Sequence, residues 1–592
     1  MKVSRKQFIK ISTSATAAGI IGLGTSGLNN LYLQNDKPDW LIELLRQNES
    51  RFENLSSYLQ VSRVTDKSST AFGGFIDSYG LPNAQSTQSF IGNALCALST
   101  PESSLFGSEL LLQALNEAAA FLVRVQHEDG TVDLLSHNFY SPPDTAFIIN
   151  RMVPLFNLFQ RENISGSEES VATLQAFIEK ASNAIVNGGI HTPNHRWVFC
   201  AALARLYELW PDERYRDRAE SWLAEGVDID NEGQYRERDT LVYSAVSNRA
   251  LTITAKIFDI PELLESVRQN LEMLMYYLLP NGEAVEEVSA RVEREGRRIG
   301  TIHAHYVPCR YLALLDNNKE FAALCRHIEE TAFSRLSSYL HYLLVDPVLW
   351  RPLPVPGELP TNYVREFSES GVVRIRRGNY DASIISRYTK QGIFFAFHKG
   401  EAMLHGMRIG NSFSGMGQFE SDTIQKVNGG WVLNREVNGL YFQPLPQEKT
   451  PIGRDWQFDP EYYGRYGLMW HTNNREATRV HTLRQNAKIW EIKGGFEIEI
   501  CIDGTDNVPT TVELIFRPGG SLSGVENHGN LANTYFLKEG YGKYNLNGDT
   551  ITFGSGRFLH TNADLRGTLP KMELPTVVLT GITPFYHKIR FV

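Results

Sequence analysis

The chain has 592 residues, enough for several domains, and its 42% apolar and 21% charged residues are ordinary globular composition. A formal net charge of −9 lacks the basic footprint of a nucleic-acid binder, but a local basic cleft could still hold an acidic ligand. Five cysteines, Cys96, Cys200, Cys309, Cys325 and Cys501, form no Cys-x-x-Cys pair, so buried free thiols are expected rather than a disulfide framework.

Residues 1–36 read as an export signal and tether. Lys2, Arg5, Lys6 and Lys10 precede a weakly apolar, glycine-containing run from Ala15 to Leu28, too short for a membrane span. Ser4-Arg5-Lys6-Gln7-Phe8 resembles a twin-arginine signal with Lys6 in the second arginine position, which implies a periplasmic or secreted protein. No cysteine follows the run to carry a lipid anchor.

Residues 37–345 have helical periodicity. Helices are expected over 108–126, over 168–186 with a stop at Gly188-Gly189, over 195–210, and over 261–279 from Pro261. Pro211 is expected in the first turn of the helix that follows. Many amphipathic helices with short breaks imply antiparallel neighbours, closed into a ring or stacked as an open solenoid. There is no fixed repeat length to favour the solenoid. Residues 346–366, with Pro347, Pro352, Pro354, Pro356 and Pro360, read as a linker. From 367 to 592, short β-branched runs such as Val372–Ile375, Ser383–Ser386, Ile393–Phe397 and Thr511–Ile515 predict an antiparallel β-sandwich.

Polar residues stand at the helix starts. Asn194 and His195 open one helix, with Asn194 a natural capping residue. Such a start also favours anions. The strip from Asn231 to Arg238 follows, with Tyr235, Glu237 and Arg238, and then Tyr243 at the next helix start. An amide and an imidazole can offset a uronate charge, and a phenol can move a proton. His303 and His305 flank Ala304; on a regular helix their side chains would diverge by about 200°. They are a candidate divalent-metal pair, but no cysteine or carboxylate set completes it, and His303 reads equally as a substrate contact. His137, Tyr140 and Asp144 lie in a turn-rich break where a cleft would be lined. His405 sits in the sheet half, where the plain reading is a strand-edge histidine.

These residues resemble the heparinase II/III-like and alginate-lyase families of polysaccharide lyases, which combine an α/α toroid with a following antiparallel β-sandwich. The likeness rests on Asn194-His195 and on Gly233, Glu237, Arg238 and Tyr243, with His405 matching a sheet-domain histidine. It implies that Asn194 and His195 neutralise the uronate. It makes Tyr243 the proton donor to the leaving oxygen and His195 or His405 the base at C5. Tyr235, Glu237, Arg238, His303, His137 and Tyr140 would be substrate contacts. Ser244 departs from the histidine common after the tyrosine. The chain also looks similar to lyases that split L-rhamnose from D-glucuronate in arabinogalactan. The expected partner is an acidic carbohydrate, with no nucleic acid and no cofactor. A glycoside hydrolase using paired carboxylates among Asp144, Glu232, Glu237 and Asp239 is the first alternative. A non-catalytic glycan binder is the second.

Overall fold

The computed structural model describes residues 37–291, 300–387, 391–449 and 472–592. The expected export signal therefore lies outside the described residues. Helices come first: α1 (Asp39–Glu49), α2 (Leu55–Ser62), α3 (Ala84–Leu98), α4 (Glu109–Val125), α5 (Pro142–Glu162), α6 (Glu168–Asn187) and α7 (Pro193–Leu209). They continue with α8 (Glu213–Leu223), α9 (Tyr243–Phe258), α10 (Leu263–Leu274), α11 (Tyr306–Leu315), α12 (Lys319–Ala332) and α13 (Leu340–Val345). A small hairpin, β1 (Val132–Leu134) with β2 (Asn138–Ser141), precedes α5. No helix among the described residues is long and apolar enough to cross a membrane.

The helices form two rows. In the inner row α3 packs on α5, α5 on α7, α7 on α9 and α9 on α11, while α4, α6, α8, α10 and α12 back them. The reason is visible in the residues. Helix α7 is apolar almost all round and buries Trp197, Phe199, Cys200, Ala201, Ala202, Leu203 and Ala204, whereas α8 buries only Tyr215 and Ala219. The end of the array, α13, packs on α5, α3 and α1, so the rows curl back on their start.

Some local expectations shift. Asp212 caps α8 and Pro211 lies before the cap, not in the first turn. Helix α10 begins at Leu263, beyond Pro261, and passes into a 3-10 turn at Met275–Tyr277. Gly188 ends α6 without a left-handed backbone (φ −75°). A Cβ there would collide with the Ala184 carbonyl and the Pro142 ring, so the glycine serves close packing against the start of α5.

Strands fill the second half, beginning at Asn362, inside the stretch expected to be linker. Their order is β3 (Asn362–Phe367), β4 (Val372–Arg377), β5 (Tyr380–Ile385), β6 (Phe395–Lys399), β7 (Ala402–Asn411), β8 (Ile424–Val427), β9 (Gly430–Phe442), β10 (Ala477–Ile492) and β11 (Gly495–Gly504). Then come β12 (Pro509–Phe516), β13 (Ser521–Ser523), β14 (Glu526–Asn527), β15 (Thr534–Phe536), β16 (Tyr541–Leu546), β17 (Asp549–Gly554), β18 (Thr576–Ile582) and β19 (Phe585–Phe591). A nine-stranded sheet runs β14-β15-β18-β12-β7-β6-β5-β4-β3, and an eight-stranded sheet runs β13-β16-β17-β19-β11-β10-β9-β8. Pairing is antiparallel except that β15 lies parallel to β18. Alternate residues of both sheets, among them Phe395, Leu404, Val512, Leu433, Ile489 and Ile498, fill one core between them.

The other face of the nine-stranded sheet meets the helices. Phe367, Val372, Ile385, Ile393 and Met403 belong to the same apolar cluster as the helical core. A polar network crosses this joint. Arg374, fully buried, pairs with Asp381 (2.8 Å) and donates to Ser383 Oγ (2.6 Å) and to the Tyr276 carbonyl (3.1 Å). Ser383 donates to Glu287 (2.6 Å), and His398 Nδ1 meets Asp381 (2.9 Å). Burial alone would raise the Asp381 carboxyl, but Arg374 and His398 outweigh it and hold it below its usual range.

Candidate active site

The inner helices α7 and α9 begin at one end of the array. Thr192 is the N-cap of α7 and Pro193 its first residue, so Asn194 lies inside the first turn and is not the cap. The anion at this helix start is a side chain of the chain itself. The Glu237 carboxylate accepts the Asn194 backbone N–H (3.2 Å) and the Asn194 amide at 3.0 and 2.8 Å. A carboxylate accepts only, so the Asn194 NH₂ must face it. Asn194 Oδ1 is then buried without a partner.

The loop that carries Glu237 is fixed in place. Gly233 (φ +91°) lies where a Cβ would collide with the Gln269 carbonyl of α10. Asp239 accepts the backbone N–H groups of Val242 (2.8 Å) and Tyr243 (3.0 Å) and the Ser289 hydroxyl (3.3 Å). Glu286 accepts the Leu241 N–H (2.9 Å). These bonds fix the start of α9, and Tyr243 with it. Arg291 joins the two sides: its Nε is 3.3 Å from Glu237 and its guanidinium lies 4.5 Å from the centre of the Tyr243 ring.

His195 sits beside this group. Its ring meets His191 edge-on (4.8 Å) and Phe147 of α5 (6.1 Å), and its Nδ1 is buried without a partner. Burial first, then the charges of His191 and Arg291, pull its pKa down to about 4. The imidazole is therefore neutral at pH 7, the form that can take a proton. Burial also raises the Glu237 carboxyl, against the lowering bonds from Asn194 and the charge of Arg291. Sequence reasoning missed Arg291, because it opens a charge-rich run from Arg291 to Arg298 that reads as a solvated face.

Other candidates fall elsewhere. Tyr235 is buried in the helical core and donates to Asn248 (2.9 Å), so it packs rather than meets a ligand. Arg238 (φ +52°) has Nε and Nη2 buried without partners, beside Tyr277 and Arg387. His303 bonds within its own turn, to Thr301 (3.1 Å), and leans on Tyr339. His305 is fully buried, with Nε2 at the Thr240 carbonyl (2.8 Å) and Nδ1 near Asn248 (3.2 Å). Both nitrogens of His305 are thus engaged, and neither is open to a metal in this arrangement. His137 is exposed beside Ser136. Tyr140 is 62% exposed and stacks on His127 at 3.8 Å, while Asp133 holds His127 (2.8 Å) and the Tyr140 N–H (2.7 Å). The start of α5 thus brings Phe147 to the His195 side, while the hairpin β1–β2 holds Tyr140 against His127.

His405 lies in a β-bulge. Against β12, Ile515 pairs with Gly406 and Phe516 with Leu404, leaving His405 as the extra residue. Leu404 and Met407 fill the sandwich core, and Met403 packs with the helices. The bulge thus leaves His405 on the helix-facing side, fully buried.

The carboxylates weighed for a hydrolase are each engaged in bonds within the fold. Asp144 bonds to Ser141 and Asn138 (3.0 Å) in its own helix start, and Glu232 accepts Ser368 and Glu369 N–H groups (2.7 and 2.9 Å). Asp239 holds the start of α9, and Glu237 holds Asn194.

No family model matches the chain, and no curated protein sequence matches it. Solved structures do. Heparinase III aligns over 96% of this chain and 88% of its own, with 11% identity and a TM-score of 0.55. The chondroitin AC lyase of Streptomyces coelicolor A3, in complex with chondroitin sulphate, aligns over 96% and 82% with 11% identity and a TM-score of 0.49. The heparan sulfate lyase HepC of Pedobacter heparinus aligns over 96% and 87% with 10% identity and a TM-score of 0.46. The likeness to heparinase III is one of fold across nearly the whole chain.

Proposed function

We propose that the chain is an exported polysaccharide or oligosaccharide lyase that breaks the bond at C4 of a uronic acid by β-elimination. One observation carries the reading. Arg291 bridges Glu237 and the Tyr243 ring beside a buried, neutral His195. The fold shared with heparinase III supports it.

The chemistry follows from the groups. A carbanion beside a carboxylate is unstable until that carboxylate is neutralised. The Asn194 hydrogens are committed to Glu237, so the charge-offsetting group on our reading is Arg291. His195 takes the C5 proton through its unpartnered Nδ1, and Tyr243 gives a proton to the leaving O4. His405, on the sheet face over the helices, is the second candidate base. Each positioned acid or base contributes about 10²–10⁴-fold. No step calls for a metal, so chelation by EDTA is expected to leave turnover intact. Complete loss with EDTA, restored by one added metal, would overturn that.

The test is a panel of uronate glycans followed by ultraviolet absorbance. A lyase yields a 4,5-unsaturated uronate, a hydrolase yields reducing ends without it, and a binder yields neither. L-rhamnosyl-α-1,4-D-glucuronate from arabinogalactan is the first substrate to try. Tyr243→Phe should lower kcat about 100-fold or more with little change in melting temperature. Near-normal kcat in that variant would remove Tyr243 from the mechanism.

A further inference from the structure

A cleft of about 560 Å³ opens at the opposite end of the helical array. Arg205 and Tyr207 of α7, Arg249, Thr252 and Lys256 of α9, and Tyr311 of α11 line it. Along α7 its residues lie roughly 16–20 Å from Asn194, and along α9 roughly 9–20 Å from Tyr243, at 1.5 Å per residue.

Its charges are unevenly paired. Arg205 pairs with Glu208 (2.8 Å) and Lys256 with Asp346. Arg249 donates to the Ala304 carbonyl (2.7 Å) and lies over Tyr339 (4.9 Å), and among the described residues no carboxylate is within ion-pair distance of it. Arg205 Nε is also buried without a partner. Behind the cleft, burial and then the charges of Arg151, Arg249 and Arg205 hold His341 well below its usual pKa, which marks the positive potential there. Phenols surround this surplus charge, and the volume falls within the roughly 300–1,000 Å³ of small-molecule sites.

We propose that this rear cleft is a second binding site, for a carboxylate-bearing sugar of one or two rings. Arg249 takes the carboxylate, and Tyr207, Tyr311 and Tyr342 supply hydroxyls and ring surface. The choice of a uronate rests on the proposed lyase function; the cationic cleft itself does not.

Titration calorimetry of the full chain with D-glucuronate, and with D-glucose as the uncharged control, tests the site. Glucuronate should bind with a Kd of about 1 mM or tighter, and glucose at least tenfold more weakly. Arg249→Gln should weaken glucuronate binding at least tenfold. Val307→Trp, which narrows the cleft and keeps the Arg249 guanidinium, should do the same, and either variant with wild-type melting decides. Asn194→Ala should leave this binding in place. Binding lost in Asn194→Ala but kept in both cleft variants would overturn the proposal, as would no binding to the wild-type chain. Lyase activity is read separately from ultraviolet product, so the two readings fail independently.

Discussion

Glu237 decides how the candidate site is wired. It accepts from Asn194 and faces Arg291, so its charge orients both. Glu237→Gln offers Asn194 an amide where it had a carboxylate, and removes the charge that holds Arg291. We expect kcat to fall about 100-fold with a smaller change in KM, as misplacement by about an ångström does. Unchanged kcat would show that Asn194 and Arg291 hold their places without it. His195 makes a second prediction. Its pKa of about 4 means the base stays unprotonated well below neutral pH, so the acid limb of kcat/KM should lie near pH 4. A limb near 6.5 would point to a different base. The sequence made Asn194, His195 and Tyr243 legible because each sits at a helix start beside a recognisable strip. It could not reveal Arg291, whose role exists only through the contacts it makes in space. Tyr235 misled for the converse reason: Glu237, two residues on, meets Asn194, while the Tyr235 ring turns into the core.

Elements were easier to read where periodicity was strong. Helices α4 and α6 fall within a residue or two of their apolar repeats, because one stripe must face the inner row. Boundaries were harder, since Gly188 stops α6 by close packing and not by a left-handed turn. Gly188→Ala should therefore cost about 1–3 kcal/mol in denaturant unfolding, as overpacking does. The bulge at His405 was invisible because register is set by the partner strand β12. Arg374 gives the strongest test of the joint. Arg374→Met strands the buried Asp381 carboxylate, and a loss of about 3–5 kcal/mol is expected. A change below about 1 kcal/mol would mean that water or rearrangement satisfies Asp381.

At the scale of the whole molecule, buried histidines set the acid response. His195 and His305 both have pKa values near 4 in the folded chain against an ordinary 6.5, burial being the main cause. Between those values the unfolded chain binds protons that the folded chain refuses, so stability is full above about pH 6.5 and falls on acidification. The slope is at most about 1.4 kcal/mol per pH unit for each histidine. Urea midpoints at pH 7.5 and 5.5 should show the drop, and His305→Gln should lessen it.

The shared apolar cluster between the sheet and the helices has one more consequence. Residues 351–361 form neither helix nor strand, and Val355 is 87% exposed. A protease would cut there readily, yet the cut would sever only the string and not the knot. Two polypeptides, 37–355 and 356–592, made together in one cell should find each other and co-purify as a single heterodimer. The peptide bond between the halves is, on this account, a convenience of synthesis, and the polar lock around Arg374 with its apolar surround is the real covenant between them.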